Sequence, residues 1–290
     1  MSQTIANRLH VTGQTDIGCV RTLNEDSFAV DVDAGVIMVA DGMGGHAAGE
    51  VASARVINEM VQFLGPLREQ VEQRATSGQP DNPSDPHNPD GGETATLPRV
   101  QVDRHLDQVF HGGFSILELV TKAIQNTNTV LYTINERSGY GDGGGMGSTL
   151  VGLWLPTPSA RPVLFHVGDS RCYLFRSGQI KQLTEDHTLY QHWLRYGQHG
   201  PAPARNIVLQ AMGPSETVEP DVHYQDVQAG DILLLCSDGL TGMITVDDIT
   251  RVLSTVSVTN LTQACDRLID LARKQGGRDN ITVILAYVLR

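Results

Sequence analysis

The order of elements predicts an α+β fold, with antiparallel sheet covered by helices on its outer faces. Strand-like runs come first, two helical stretches follow as a block, strands resume, and a final helix precedes a final strand. Clean β–α–β repetition, the mark of a parallel sheet, is absent. A second observation is a recurring pattern in which an apolar run ends at an acid. Residues 36–40 meet Asp41-Gly42, residues 232–237 meet Asp238-Gly239, and in reverse order Asp279-Asn280 opens the run 281–286.

The elements follow in order from local pattern. Residues 27–30 and 36–40 read as paired strands joined through 31–35. A helix is predicted to begin near Ala48, because Val51, Ala54, Ile57, Val61 and Leu64 recur at helical spacing, and Gly65-Pro66 should stop it. Residues 74–99 carry few apolar side chains and many Pro, Asp, Asn and Gly. Such a stretch buries too little surface to offset its ordering entropy, so a disordered surface insertion is expected there. A second helix is predicted over 114–137, with Ile116, Leu119, Val120, Ala123, Ile124, Val130, Leu131 and Ile134 as its apolar face. A Gly-rich loop at 139–147 leads to strands at 148–155, 162–167 and 171–176, with Gly168-Asp169-Ser170 as a tight turn between the last two. Residues 179–183 read as a further strand. Residues 186–213 are irregular, strands resume at 217–224 and 231–237, and a helix over 261–274 precedes the last strand. The whole length, 1–290, is expected to form a single domain.

Composition narrows the function classes. A net charge of −12 argues against a nucleic-acid binder, which needs a basic footprint. The four cysteines form no CxxC pair, so buried free thiols are expected rather than disulfides or zinc ligands. Neither a secretory leader nor an apolar stretch of the ~20 residues needed to span a bilayer is visible, so a cytoplasmic protein is expected. No heptad pattern imposes an oligomer, and a monomer is the default.

Taken alone, Asp41 in Ala40-Asp41-Gly42-Met43-Gly44-Gly45-His46 reads as an ordinary Asp-Gly turn. The extra glycines, which let a ligand approach the backbone, and the recurrence at Asp238 favour a site instead. Carboxylates at strand ends are how a rigid scaffold gathers hard oxygen ligands around Mg²⁺ or Mn²⁺. In Arg21-Thr22-Leu23-Asn24-Glu25-Asp26, a guanidinium suited to phosphate lies beside acids suited to metal, although a plain salt bridge would read the same.

Seven motifs then occur in order: Arg21 through Asp26, Asp41 through His46, Gly147-Ser148-Thr149, Val167-Gly168-Asp169-Ser170-Arg171, Leu183-Thr184-Glu185-Asp186-His187, Ser237-Asp238-Gly239-Leu240 and Asp279-Asn280. Together, over roughly residues 12–288, they resemble the bacterial branch of the PP2C-type (PPM) metal-dependent serine/threonine protein phosphatases. The resemblance implies a β-sandwich of two antiparallel sheets flanked by α-helices, with two Mn²⁺ or Mg²⁺ ions in a cleft at one end. It implies that Asp41 bridges both metals, that Gly42 offers its carbonyl, and that Asp238 and Asp279 hold the first metal. Glu25 and Asp26 match the acids of the second metal, and Arg21 matches the phosphate-binding arginine. Asp142 matches an acid for a third, weaker metal shared with Asp238, and Asp169 lies near that site. The implied reaction is hydrolysis of phosphoserine and phosphothreonine in proteins by a metal-activated water, without a phospho-enzyme intermediate. The implied partners are phosphorylated Ser/Thr proteins, including targets of a cognate kinase.

The chain departs from the family pattern in three places. Met43 follows Asp-Gly where many eukaryotic members have His. His46, three residues on, is a candidate general acid, with an orienting role or none as the alternatives. The segment 186–206, expected to be a flap, is short but carries Tyr190, His192, Trp193, Arg195, Tyr196 and His199, either as helix packing or as the phosphopeptide contact. The insertion at 74–99 is the third departure. Two other readings stand beside the leading one: a catalytically silent phosphopeptide-binding regulator on the same fold, and a metal phosphodiesterase or nuclease, which the acidic charge disfavours.

Overall fold

A computed structural model describes residues 2–44, 47–77, 115–140 and 144–289. Strand β1 (Gln3–Ile5), β2 (Leu9–Asp16), β3 (Asp26–Asp31) and β4 (Val36–Met43) lead into helix α1 (Ala47–Ser77). Helix α2 (Ile116–Arg137) is followed by β5 (Gly147–Ser148), β6 (Leu150–Trp154), β7 (Val163–Val167), β8 (Arg171–Arg176) and β9 (Gln179–Gln182). Then come α3 (Leu189–Arg195), β10 (Asp221–Tyr224), β11 (Ile232–Cys236), α4 (Asp238–Thr241), α5 (Val246–Leu253), α6 (Leu261–Lys274) and β12 (Ile281–Val288). One sheet runs β1-β2-β12-β11-β8-β9 and the other β10-β7-β6-β4-β3, with β5 on β4. The named strands pair antiparallel throughout.

The continuous apolar runs have a simple cause: the central strands are buried on both faces. Ile37, Val39, Leu233, Leu235, Ile284 and Ala286 meet between the sheets. The alternate residues of the same strands turn outward. Val36, Met38 and Ala40 pack under α1 and α2. Leu234, Cys236, Val283 and Leu285 pack under α5 and α6. The expected antiparallel sandwich with helices outside is therefore present. Three of the free thiols, Cys172, Cys236 and Cys265, are buried as expected, whereas Cys19 is exposed.

Local signals failed in two instructive places. Gly65-Pro66 does not stop α1, which continues to Ser77. Pro66 and Gln62, the residue whose carbonyl loses its partner, both face solvent, so water can satisfy the gap. Beyond it, Leu67 and Val71 stay buried. Arg68 ties the turn down through Nη1 to the Val32 carbonyl at 2.7 Å and through Nε to Glu72 at 3.0 Å. The second failure is the turn at 168–170, which is not a hairpin: β7 belongs to one sheet and β8 to the other. The chain crosses between sheets there, and that crossing carries Asp169 to the end of the sandwich. Strands β1 and β2 and helix α5 were not foreseen. Residues 78–99 of the expected insertion lie outside the described residues.

Pro66→Ala restores the missing helical N–H at an exposed position and should stabilise the protein by about 1–2 kcal/mol, after the gain in unfolded-state entropy is subtracted. Urea unfolding of the two proteins measures it; an unchanged or lower midpoint would mean that α1 depends on a bend at this residue.

Candidate metal centre

Eight of the ten predicted site residues, Arg21, Glu25, Asp26, Asp41, Gly42, Asp169, Asp238 and Asp279, gather at one end of the sandwich; His46 and Asp142 lie outside the described residues. Asp26 and Asp41 are register partners across β3 and β4. The apolar run ends at Asp41 but the strand does not, since β4 continues to Met43. Asp238 opens the short helix α4 after Ser237, directly beyond β11, and Asp279 stands two residues before β12. Adjacent strands β11 and β12 thus deliver two of the acids side by side.

Hydroxyls and amides fix this arrangement. Thr149 receives the Asp41 N–H on Oγ1 at 3.0 Å, donates its own N–H to the Asp41 carbonyl at 2.8 Å, and pairs with Ser170 Oγ at 2.7 Å. One hydroxyl therefore ties the strand of Asp41 to the crossing that bears Asp169. Ser237 Oγ and Thr282 Oγ1 both donate to Asp26 Oδ2, at 2.8 and 2.6 Å. Asn280 accepts the Glu25 N–H at 2.8 Å and donates to the carbonyls of Ile17 and Leu23, pinning the Arg21 loop to the start of β12. Sequence reasoning gave these residues no role. Their partners lie far away in the chain; Thr149, Ser170, Ser237 and Asn280 fall inside the sequence motifs without a role of their own, and Thr282 falls in none.

Charge is the dominant feature. Burial pushes the Asp26 carboxyl up to about 7, against the two hydroxyls, which favour its anion. Burial, then the charge of Asp238, does the same to Asp169, also to about 7. Asp41 is held well above the usual carboxylate range by burial and then by Asp26 and Asp238. Asp238 is raised by burial and then by Asp279. Asp279 has both oxygens engaged: Oδ1 accepts the Asn280 N–H at 2.9 Å, and Oδ2 accepts from Arg21 Nη2 at 2.7 Å. Arg21 also stands 3.7 Å from Glu25 and is about half exposed, so its guanidinium borders both the acids and solvent.

These residues fit a hard cation. Glu25 Oε1 and Asp26 Oδ1 are buried oxygens without a hydrogen-bond partner. An unpartnered buried carboxylate oxygen is costly, and a divalent ion is the partner its chemistry suits. Room is kept for it: a Cβ on Gly49 would come within 2.6 Å of Glu25 Oε1, and one on Gly42 would collide with the Gly49 carbonyl. The buried thiols Cys236 and Cys172 are not activated nucleophiles, since burial pushes Cys236 up to about 12 and Cys172 higher still.

Beside the acids, Arg171 forks onto Asp186, with Nε to Oδ1 at 2.9 Å and Nη2 to Oδ2 at 2.6 Å. That bidentate pair anchors the base of the segment expected to be a flap. Within it, α3 runs over Leu189–Arg195, capped by Thr188 and with no buried residue. The aromatic side chains there are therefore not core packing. Among the described residues no helix is long and apolar enough to cross a membrane.

Comparison with known proteins agrees with the geometry. The profile of the family described as Protein phosphatase 2C matches residues 20–285. The chain is 33% identical over 287 residues to a serine/threonine phosphatase, Stp, of Listeria monocytogenes, covering 96% of this chain and 95% of that one. It is 32% identical to the serine/threonine protein phosphatase PstP of Mycobacterium tuberculosis, covering 97% of this chain and 45% of the longer protein. A crystal structure of the Mycobacterium tuberculosis phosphatase PstP/Ppp superposes with a TM-score of 0.71 at 30% identity, covering 98% of this chain and all of that one. A structure of the PstP catalytic domain in complex with two manganese ions gives 0.69 at 31% identity, covering 98% of this chain and 99% of that one. The chain therefore belongs to the Protein phosphatase 2C family, and it is a protein-serine/threonine phosphatase.

Proposed function

We propose that this chain hydrolyses phosphoserine and phosphothreonine at a binuclear Mn²⁺ or Mg²⁺ centre, by direct attack of water and without a phospho-enzyme intermediate. The observation that carries the reading is the convergence of buried carboxylates with two unpartnered oxygens, on Glu25 and Asp26. The manganese pair in the PstP relative supports it. Asp41 and the Gly42 carbonyl would hold the metal pair, Asp238 and Asp279 would serve one ion, and Glu25 and Asp26 would serve the other directly or through waters. Asp142 and Asp169 are assigned to a third, weaker site with Asp238, and His46 as a candidate proton donor to the leaving alkoxide. When bound, the ions supply an acidified water and neutralise phosphate charge.

The chain's own residues do the rest. Arg21 is the cation at the solvent edge of the acids, and its fork matches two phosphoryl oxygens. To do so it gives up its bond to Asp279, which frees that carboxylate for a metal. Thr149, Ser237, Thr282 and Asn280 hold the acids in place, so little reorganisation is needed at the moment of reaction. The exposed helix α3 and the segment around it are the proposed phosphopeptide contact. Targets of a cognate Ser/Thr kinase are the proposed substrates, and a cytoplasmic monomer is the proposed working form.

Hydrolysis of p-nitrophenyl phosphate should require Mn²⁺ or Mg²⁺ and vanish in EDTA. Asp41→Ala or Asp238→Ala should lower kcat/KM more than about 100-fold while leaving the circular dichroism spectrum unchanged. Turnover that persists after metal removal would sink the proposal. Arg21→Ala loses a charge-assisted hydrogen bond of about 1.5–3 kcal/mol, so kcat/KM should fall about 10- to 100-fold. An equal fall with a neutral ester would show that Arg21 acts on the fold and not on phosphate.

Stability should depend on pH in a metal-sensitive way. The folded-state pKa values of Asp26 and Asp169 are raised to about 7. The native state therefore binds more protons than the unfolded state between the ordinary carboxylate range and about 7, and stability falls as pH rises through that window. His166 acts oppositely: burial lowers its pKa, so its contribution is lost as pH drops through the ordinary imidazole range. In EDTA the Tm should thus decline as pH rises from the ordinary carboxylate range to about 7, less steeply where His166 opposes it, and level off above; saturating Mn²⁺ should abolish the decline. A decline of the same size with and without Mn²⁺ would place its cause outside these acids.

A further inference from the structure

Away from the acids, on the far side of the Gly168 crossing, three side chains form a different kind of cluster. His166 lies on β7 opposite Asp221 on β10, its register partner. It is 1% exposed, and neither ring nitrogen has a hydrogen-bond partner. The His187 ring packs on it with centroids 4.7 Å apart. His187 Nε2 stands 3.1 Å from Asp221 Oδ2, and His166 Nδ1 is 4.0 Å from the same oxygen. Among the described residues, this is the trio whose ligand atoms all lie within 4.8 Å of one another.

We propose that His166, His187 and Asp221 form a second metal site, of zinc type, whose occupancy opposes the arrangement of the Gly168–Asp169 crossing. Two imidazoles and one carboxylate are borderline-soft ligands that suit Zn²⁺, with Co²⁺ as its spectroscopic stand-in, rather than Mg²⁺. Three protein ligands leave a fourth position for water. His187 and Asp221 line a cleft of about 550 Å³ together with Glu185, Gln191, His192 and Glu219, so that position has an entry path. Tetrahedral coordination requires the ligand atoms to close to about 3.3–3.5 Å of one another, given metal–nitrogen bonds of about 2.0–2.1 Å. His166 is fixed on a strand with pairs on both sides, whereas His187 lies in a loop and Asp221 on an edge strand. The movement therefore falls to His187 and Asp221.

The coupling follows from the tautomer. His187 holds Gly168 twice: its backbone N–H donates to the Gly168 carbonyl at 2.8 Å, and its Nδ1 accepts the Gly168 N–H at 3.2 Å. With Nδ1 accepting, the proton of a neutral ring sits on Nε2 and points to Asp221. A metal on Nε2 needs that proton moved to Nδ1, where it would face the Gly168 N–H. Metal binding must therefore break the ring's hold on Gly168. That residue has a φ of +107° and precedes Asp169, so release of the ring frees the crossing that positions this acid. The coupling rests on the role proposed for Asp169; the metal site does not.

The test is titration of the full chain with Zn²⁺ and, separately, Co²⁺, in saturating Mg²⁺, read by calorimetry and by cobalt d–d absorption. Wild-type protein should take up one further ion with a tetrahedral cobalt spectrum. Asp221→Asn, which keeps an acceptor for His187 Nε2–H, and His166→Gln should each weaken that uptake at least about 10-fold. Basal turnover of p-nitrophenyl phosphate should change less than about twofold in a folded variant. Zn²⁺ should inhibit the wild type without being relieved by added Mg²⁺, and the variants should resist. Unchanged uptake in both variants would overturn the site. Uptake lost in the variants, with wild-type turnover unaffected by Zn²⁺, would overturn the coupling alone. If His166→Gln does not fold, the half-exposed Asp221→Asn decides the question, and failure of the proposed binuclear reaction would leave the cobalt readout intact.

Discussion

Burial of like charge is the constraint on which the structure turns. Asp26, Asp41, Asp169 and Asp238 stand close enough for each to feel another's charge, and all are raised first by burial. Without a cation, such a cluster opposes folding above neutral pH, because each ion is both desolvated and repelled. The surrounding fold has to carry that cost. It does so with strands buried on both faces and with hydroxyls or amides bonded to Asp26, Asp41 and Asp279, so that the cluster keeps its shape where repulsion would open it. Thr149 is central here, since its single hydroxyl couples the Asp41 strand to Ser170 on the Asp169 crossing.

The sandwich supplies what the acids need because two sheets end at one place. β11 and β12 are neighbours in one sheet, β3 and β4 in the other, and the 168–170 crossing links the two. A carboxylate at a strand end inherits the rigidity of the ladder behind it, whereas one on a long loop would swing away under repulsion. Arg21 is the exception. It comes from a loop, and that loop is held by Asn280, whose side-chain amide donates to two of the loop's carbonyls. Arg21 is thus carried on a loop tied to the residue after Asp279, its partner.

Legibility in the sequence tracked the range of the interactions. Asp41, Asp238 and Asp279 could be read because each ends or opens an apolar run, which is a local signal. The partners of Asp26 could not, since Ser237 and Thr282 reach it only after β11 and β12 pair across more than forty residues. Turn chemistry identified Gly168 as a turn but could not tell a hairpin from a crossing, because that depends on which strands each neighbour finds. Pro66 misled for the same reason: its local cost is real, and Leu67, Val71 and Arg68 outweigh it through contacts made elsewhere. Helix α5 was the avoidable omission. Thr245 and Asp248 form a capping box that stands in the sequence at the right spacing before an apolar face. The His166–His187–Asp221 trio had no such signal, as its members lie on three separate elements.

Charge also orders the events at the proposed centre. A phosphomonoester approaching the bare acids would meet net repulsion, in a chain that already carries −12. Arg21 alone cannot reverse this, because Asp279 and Glu25 already share its charge. Cations must therefore enter first. With cations held there, Asp279 would have a better partner than Arg21, and the guanidinium would be available to a phosphate at the solvent edge. On the proposed reading the metals would do more than activate water: they would convert an acidic pocket into an anion site and free Arg21 for the substrate. The same residue that stabilises the acids before metal binding becomes available only when they no longer need it.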